Sequence, residues 1–152
     1  MAGITSALCT SFKVELLEGD HDFNNGADAF KVALLKANAS ITGTYDAGTT
    51  NYSDVTGNSD ELPNGSGYTT GGYALTNVNP TSSGTTAFTD FSANAQWTSA
   101  TFTTRGCIIY NTSDGNSAVA VINFGADYSV SGGTFEIQWP TADSSNAIIR
   151  IA

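Results

Sequence analysis

The sequence predicts a mainly β protein, an antiparallel β-sandwich (jelly-roll-like) of about eight strands with a short N-terminal helix. Three observations lead there. The second half of the chain is a procession of short runs that alternate apolar and polar residues, separated by clusters of Gly, Asn, Asp and Ser. Charged residues make up 12% of the chain, about half the usual share, while Thr, Ser, Asn and Gly are abundant. Only one segment, near the N-terminus, carries apolar residues at helical spacing.

In chain order, Ile4, Ala7, Leu8, Phe12, Leu16 and Leu17 predict a helix over about residues 5–18, capped by Ser or Thr and closed by Gly19. The run DAFKVALLKA sets Phe30, Val32 and Leu34 against Lys31, Ala33 and Leu35, a strand with one buried face. Residues 38–72 are poor in apolar residues and rich in turn formers, so they form a long polar loop with at most a helical turn or two. Tyr45, Tyr52, Val55, Leu62 and Tyr68 are placed to pin that loop down. Strands follow at 73–79, 86–92, 95–99, 102–111, 117–124, 134–139 and 147–152. Ser113–Asn116 reads as a hairpin turn centred on Asp114-Gly115, and Ser131–Gly133 as a second reversal. Trp97, Trp139, Ile108, Val121 and Phe135 are the expected core between the two sheets.

With 152 residues the chain fits a single domain spanning 1–152. Five basic residues against fourteen acidic ones give a net charge of -9, and the bases (Lys13, Lys31, Lys36, Arg105, Arg150) are scattered. Nucleic acid is therefore not an expected partner. No window approaches the ~18 apolar residues of a membrane span, and no basic region precedes an unbroken apolar stretch at the N-terminus. Neither membrane insertion nor export by a standard signal is expected. Cys9 and Cys107 lie among apolar residues without metal spacing; both read as buried thiols, with a Cys9–Cys107 disulfide as the alternative.

Asp20, His21, Asp22, Asn24 and Asn25 cluster within GDHDFNNG, Gly19–Gly26. Counted from Asp20 as a calcium loop, Asp22 and Asn24 fall at ligand positions, but Asn25 stands where glycine is needed and Lys31 where a bidentate Glu is needed. A turn anchored by Phe23 is the simpler reading, against a looser calcium site through Asp20, Asp22 and Asn24. His21 is the only histidine and has no nucleophile motif beside it. The glycine-rich Gly65–Gly72 lacks the lysine of a phosphate loop. No catalytic, cofactor-binding or metal residues are nominated, and no cofactor is expected.

Several phrases, in order, resemble those of a family of small virion structural proteins encoded near the head genes of tailed bacteriophages, especially marine and cyanobacterial ones. They are FKVELLEGDHDF, AFKVALL, GSGYTTGGYALT, WTSATFTTRGCIIYN, AVAVINFGADYSVSGGTFEIQWP and NAIIRIA, running from Phe12 to Ala152. The resemblance implies a non-enzymatic virion structural protein of the head decoration (cement) type. Its expected partner is the major capsid protein, whose lattice it would stabilise, with self-association into a cyclic oligomer, a trimer being favoured. It would reside on the capsid surface of the virion after assembly in the host cytoplasm. The alternative is a tail or head-fibre module for host attachment that contacts glycans through Tyr45, Tyr52, Tyr68 and Tyr73. The polar loop 38–72 and the segment before Phe12 are the expected contact regions, as both can deform onto a partner.

Overall fold

The computed structural model describes residues 2–152. In chain order the elements are β1 (Gly3–Ile4), β2 (Ala7–Leu8), α1 (Thr10–Glu18), β3 (Phe30–Lys36), a 3-10 turn (Asn38–Ser40), β4 (Thr44–Tyr45), α2 (Ser53–Gly57), β5 (Tyr73–Ala74), β6 (Thr81–Ser83), β7 (Thr86–Thr89), β8 (Ala95–Asn111), β9 (Ser117–Ile137) and β10 (Ile149–Ile151). The fold is mainly β and sandwich-like, with antiparallel sheets. One sheet has five strands in the order β2-β9-β8-β3-β5, and a second has three, β10-β7-β6. β1 and β4 form a short parallel pair.

The core centres on β3, β8 and β9. Every residue of β8 from Gly106 to Asn111 is buried, as are Ala118–Val121 of β9 and Val32–Leu35 of β3. A strand with neighbours on both edges and cover on both faces has no solvent side, so alternation gives way to unbroken apolar runs such as Cys107–Tyr110. This is why β3 departs from the one-faced strand expected of it. Phe30 stacks on Phe23 at 4.4 Å between centroids and meets Phe91, just beyond β7, at 6.1 Å. Cys9 and Cys107 are both buried free thiols.

Several boundaries differ from those the sequence predicts. The helix starts at Thr10, because the residues before it are already extended: Ile4 pairs with Tyr45, and Ala7 and Leu8 pair with Val121 and Ala120. Its N-cap is Cys9, not Ser or Thr, and the Thr10 amide donates to Ala47 O instead of to a capping side chain. Gly19 closes it as expected, in the left-handed region at φ 88°, with the Gly19 and Asp20 amides reaching back to Leu16 and Glu15 carbonyls.

The strands expected at 95–99 and 102–111 are one strand, β8, and those at 117–124 and 134–139 are joined through Ile137 in β9. The reversal expected at Ser131–Gly133 is a bulge: Thr101 pairs with Ser131 and Ala100 with Gly133, leaving Gly132 as the extra residue at φ 63°. A larger irregularity bends the hairpin where Phe124–Asp127 stand opposite Arg105. Gly106 belongs there, since a Cβ on it would lie 2.3 Å from the Ile122 carbonyl oxygen. The hairpin turn is present but its left-handed pair is Gly115-Asn116, one residue later than expected, closed by Ser117 N donating to Asp114 O.

The polar loop 38–72 holds β4 and α2 and folds back onto the frame, with Tyr45, Val55, Leu62 and Tyr68 all buried. It rejoins the sheet at Gly72, where a Cβ would sit 1.9 Å from Val32 O.

Candidate functional site

The cluster Gly19–Gly26 condenses into a hydrogen-bonded pin between α1 and the hairpin turn. His21 is buried, its ring 5.0 Å from that of Phe12. Its Nε2 lies 2.9 Å from Glu15 Oε2, and its Nδ1 lies 2.9 Å from Asn111 Nδ2. The same Asn111 amide donates to Asp28 Oδ2 at 2.8 Å. Asn111 Oδ1 accepts from the amides of Ser113 and Asp114, which fixes the orientation of that side chain. Because Nδ1 faces a donor, the ring proton resides on Nε2 and is directed to Glu15.

Asp114 completes a set of Glu15, His21 and Asp114 whose ligand atoms lie within 4.8 Å of one another. A cation bound at His21 Nε2 would need the proton on Nδ1, where it would meet the Asn111 NH₂ group. The wiring of Asn111 opposes that tautomer, so the set is built for a hydrogen-bonded histidine. At Asp22 and Asn24, the residues of the looser calcium reading, Asp22 Oδ1 accepts from both N and Nδ2 of Asn24, which turns the Asn24 amide nitrogen to the carboxylate. The Asn25 amide donates to Asn79 Oδ1. Asp20 is exposed.

Two adjacent carboxylates, Asp60 and Glu61, organise the polar loop. Burial raises the Asp60 carboxyl, but hydrogen bonds from Tyr45, Gly43 and Thr42 outweigh it and hold it below the ordinary carboxylate value. Glu61 accepts from Tyr52 Oη, from Tyr68 Oη at 2.7 Å and from the Gly71 amide at 2.7 Å. The glycine-rich segment thus spends one of its amides on an internal carboxylate, where a phosphate loop would present it to a ligand. Burial raises the Tyr68 and Tyr52 hydroxyls, and Glu61 raises them further. Both stay protonated donors.

Tyr45 and Tyr68 are therefore buried and do not form the exposed aromatic platform expected of them; Tyr52 stacks on Tyr110 at 4.3 Å, and Tyr73 packs edge-on against Trp97. The exposed aromatic is Tyr128, half bare on β9. It ends a chain of ring contacts that leads outward from buried Trp97 through Phe135 at 5.9 Å, Phe124 at 6.0 Å and Tyr128 at 6.2 Å. Phe124, Tyr128, Phe135, Glu136, Ile137 and Gln138 line an open hollow of about 270 Å³ beside it. Elsewhere on the ribbon, exposed Thr101, Ser129 and Ser131 accompany half-buried Thr103, whose hydroxyl lies 2.7 Å from that of Ser129.

The sequence reading missed this surface because GADYSVSGG looks like turn material, with a single aromatic among small polar residues. No local signal marks it: only the register sets Phe102 beside Val130 and Thr104 beside Tyr128. The segment before Phe12 is likewise not free to deform, since β1 and β2 zip it into two sheets. Among the described residues no helix is long and apolar enough to cross a membrane. Comparison of the chain with family models, curated proteins and solved structures finds no match.

Proposed function

We propose that this chain is a non-enzymatic virion structural protein that decorates the capsid and stabilises the lattice of the major capsid protein. The observation that carries the reading is the contrast between closed polar clusters and an open ribbon. His21, Asp60 and Glu61 each spend their hydrogen-bonding capacity on neighbours in the chain. The outer half of the β8–β9 hairpin, by contrast, offers an apolar hollow around Tyr128 and exposed hydroxyls at Thr101, Ser129 and Ser131 on two paired strands. Surfaces of that kind suit wet, polar interfaces with an aromatic anchor. The ordered phrases from Phe12 to Ala152 add the family resemblance.

The contact region in this reading is the outer ribbon instead of the polar loop or the N-terminal segment, both of which are committed to internal pairing. Particles lacking the protein are expected to assemble with normal geometry and to lose resistance to heat or osmotic shock. Purified protein added back restores that resistance saturably, because a ligand of the finished lattice stabilises it by mass action, about 2.7 kcal/mol per site at a hundredfold excess over Kd. Deletion that leaves particle stability intact and abolishes adsorption to the host would replace this reading with the tail or fibre one. The hollow beside Tyr128 is the feature that favours that second reading, since an exposed ring can stack on a sugar.

A further inference from the structure

We propose that Asn25-Gly26 is a self-modification site, at which the folded chain converts Asn25 to aspartate and isoaspartate with water as the only co-reactant. The chain holds two Asn-Gly pairs, Asn25-Gly26 and Asn64-Gly65. Glycine has no side chain to shield its amide, so that nitrogen can approach Cγ of the asparagine before it. Both asparagines and both glycines are exposed. Gly26 and Gly65 each have positive φ, 85° and 113°, and a Cβ on either would meet nothing within 4 Å. Sequence and exposure therefore treat the two pairs alike.

The hydrogen bonds separate them. The Gly65 amide donates to Tyr68 O at 2.8 Å, and the Tyr68 amide donates back to Gly65 O at 3.0 Å. Asn64 Oδ1 accepts from Thr70 N at 3.4 Å. Tyr68 is buried and its hydroxyl is held by Glu61, so the clamp on Gly65 is tied to the core. Attack by the Gly65 nitrogen requires local opening first. At the other pair, the backbone amide of Asn25 donates to Asn79 Oδ1 at 2.7 Å, but among the described residues neither the Asn25 side chain nor the Gly26 amide has a partner in the chain. Nucleophile and electrophile are both free, while Asn24 and Ala27 on either side are fixed by Asp22 Oδ1 and Asn24 O.

The step balances without a cofactor. The Gly26 nitrogen bonds to Asn25 Cγ, the Cγ–Nδ2 bond breaks, and the Gly26 proton leaves with the side-chain nitrogen as ammonia. Water then opens the succinimide at either carbonyl. One opening leaves an aspartate, the other an isoaspartate whose extra methylene lies in the main chain. Either product adds a negative charge. The fold contains the change, because Asp22 N donates to Asp28 Oδ2 at 2.9 Å and Asp28 N donates to Asp22 O at 3.2 Å, closing residues 22–28 into a loop that holds Asn25. The reaction asks only for the folded chain and water, so it stands independently of the decoration reading.

Peptide mapping by mass spectrometry of the purified chain, aged at mildly alkaline pH, tests it, with electron-transfer fragmentation assigning isoaspartate. In the folded chain Asn25 is expected to deamidate roughly tenfold or more faster than Asn64, the factor set by opening a hydrogen bond tied to the core. In denaturant the two rates should converge. Asn25→Gln should remove the product from its peptide and leave the Asn64 rate unchanged. A folded chain in which Asn64 keeps pace with Asn25, or in which Asn25 is modified only after denaturation, overturns the proposal. So does a rate ratio that persists in denaturant, since neighbouring sequence and not the fold would then set it.

Discussion

The two halves of the β8–β9 hairpin share the same strands and the same pairing, yet differ in nearly every other respect. The inner half, from Gly106 round the turn to Val121, lies between β3 and β2 and is buried on both faces over most of its length. The outer half, Ala95–Thr103 with Tyr128–Ile137, has no third strand, and no residue of β9 beyond Val121 is fully buried. Its cover comes from the polar loop, whose Tyr68 lies 6.2 Å from both Trp97 and Phe102, and from Tyr73 of β5, whose ring lies 5.7 Å from that of Trp97. An isolated two-stranded ribbon is at best marginal in water. The ribbon therefore depends on the Glu61 cluster that holds Tyr68 in place, whereas the inner half depends on packing.

This dependence can be broken from either end. The largest effect is expected inside: Ile108→Ala should lower stability by about 4 kcal/mol, since the side chain is wholly buried and the surrounding sheet collapses little. Phe135→Ala and Trp139→Ala, which the sequence alone places in the same core, are half-buried and should cost roughly half as much. Equal losses in urea unfolding would mean that the two halves are one packing unit.

Next in size is Glu61→Ala, expected to cost about 3 kcal/mol because Tyr52, Tyr68 and the Gly71 amide lose their acceptor together. Hydrogen exchange sharpens the comparison here: amides of the outer ribbon should lose protection in this variant before those around Ile108 do. Asp60 contributes less, about 1–2 kcal/mol for Asp60→Asn at neutral pH. Its folded carboxyl lies below the ordinary value, so its stabilisation is complete above about pH 4 and is lost as pH falls through the folded value. Thermal unfolding of the wild type should therefore drop faster with acid than that of Asp60→Asn. The smallest effect on stability belongs to Tyr128→Ser, within about 0.5 kcal/mol, although saturable binding to particles should fall.

The same contrast explains how much could be read in advance. The sandwich, β3, the closing Gly19 and the hairpin turn region were legible because each has a local signal: an apolar run, a left-handed glycine, an Asp-Gly pair. The continuity of β8 and β9 was not. Ser99 and Gly132 adopt positive φ within paired strands, and Gly125 does so beside the bend, so residues that usually end strands serve here as bulges. The start of α1 was misplaced because Ile4 and Leu8 suit a helical face as well as they suit β1 and β2, and only distant partners decide between them. The His21 pin joins residues about ninety positions apart, and no spacing rule near Gly19 could have pointed to Asn111.

The two cysteines offer a clock for these motions. Burial first, then Glu15, Asp46 and Asp54, push the Cys9 thiol up to about 12, and burial alone raises that of Cys107. Reaction with a disulfide reagent needs a thiolate in contact with solvent, so neither sulfur should be modified while the fold is closed. Cys9 sits where the N-terminal segment meets β9, through its amide on Val119 O, and Cys107 sits on β8 between Leu34 of β3 and Ile122 of β9. Their modification rates in mild denaturant thus time two separate events, the peeling of the segment from β1 to Cys9 and the opening of the central sheet. A Cys9 that reacts well ahead of Cys107 would place those events in that order.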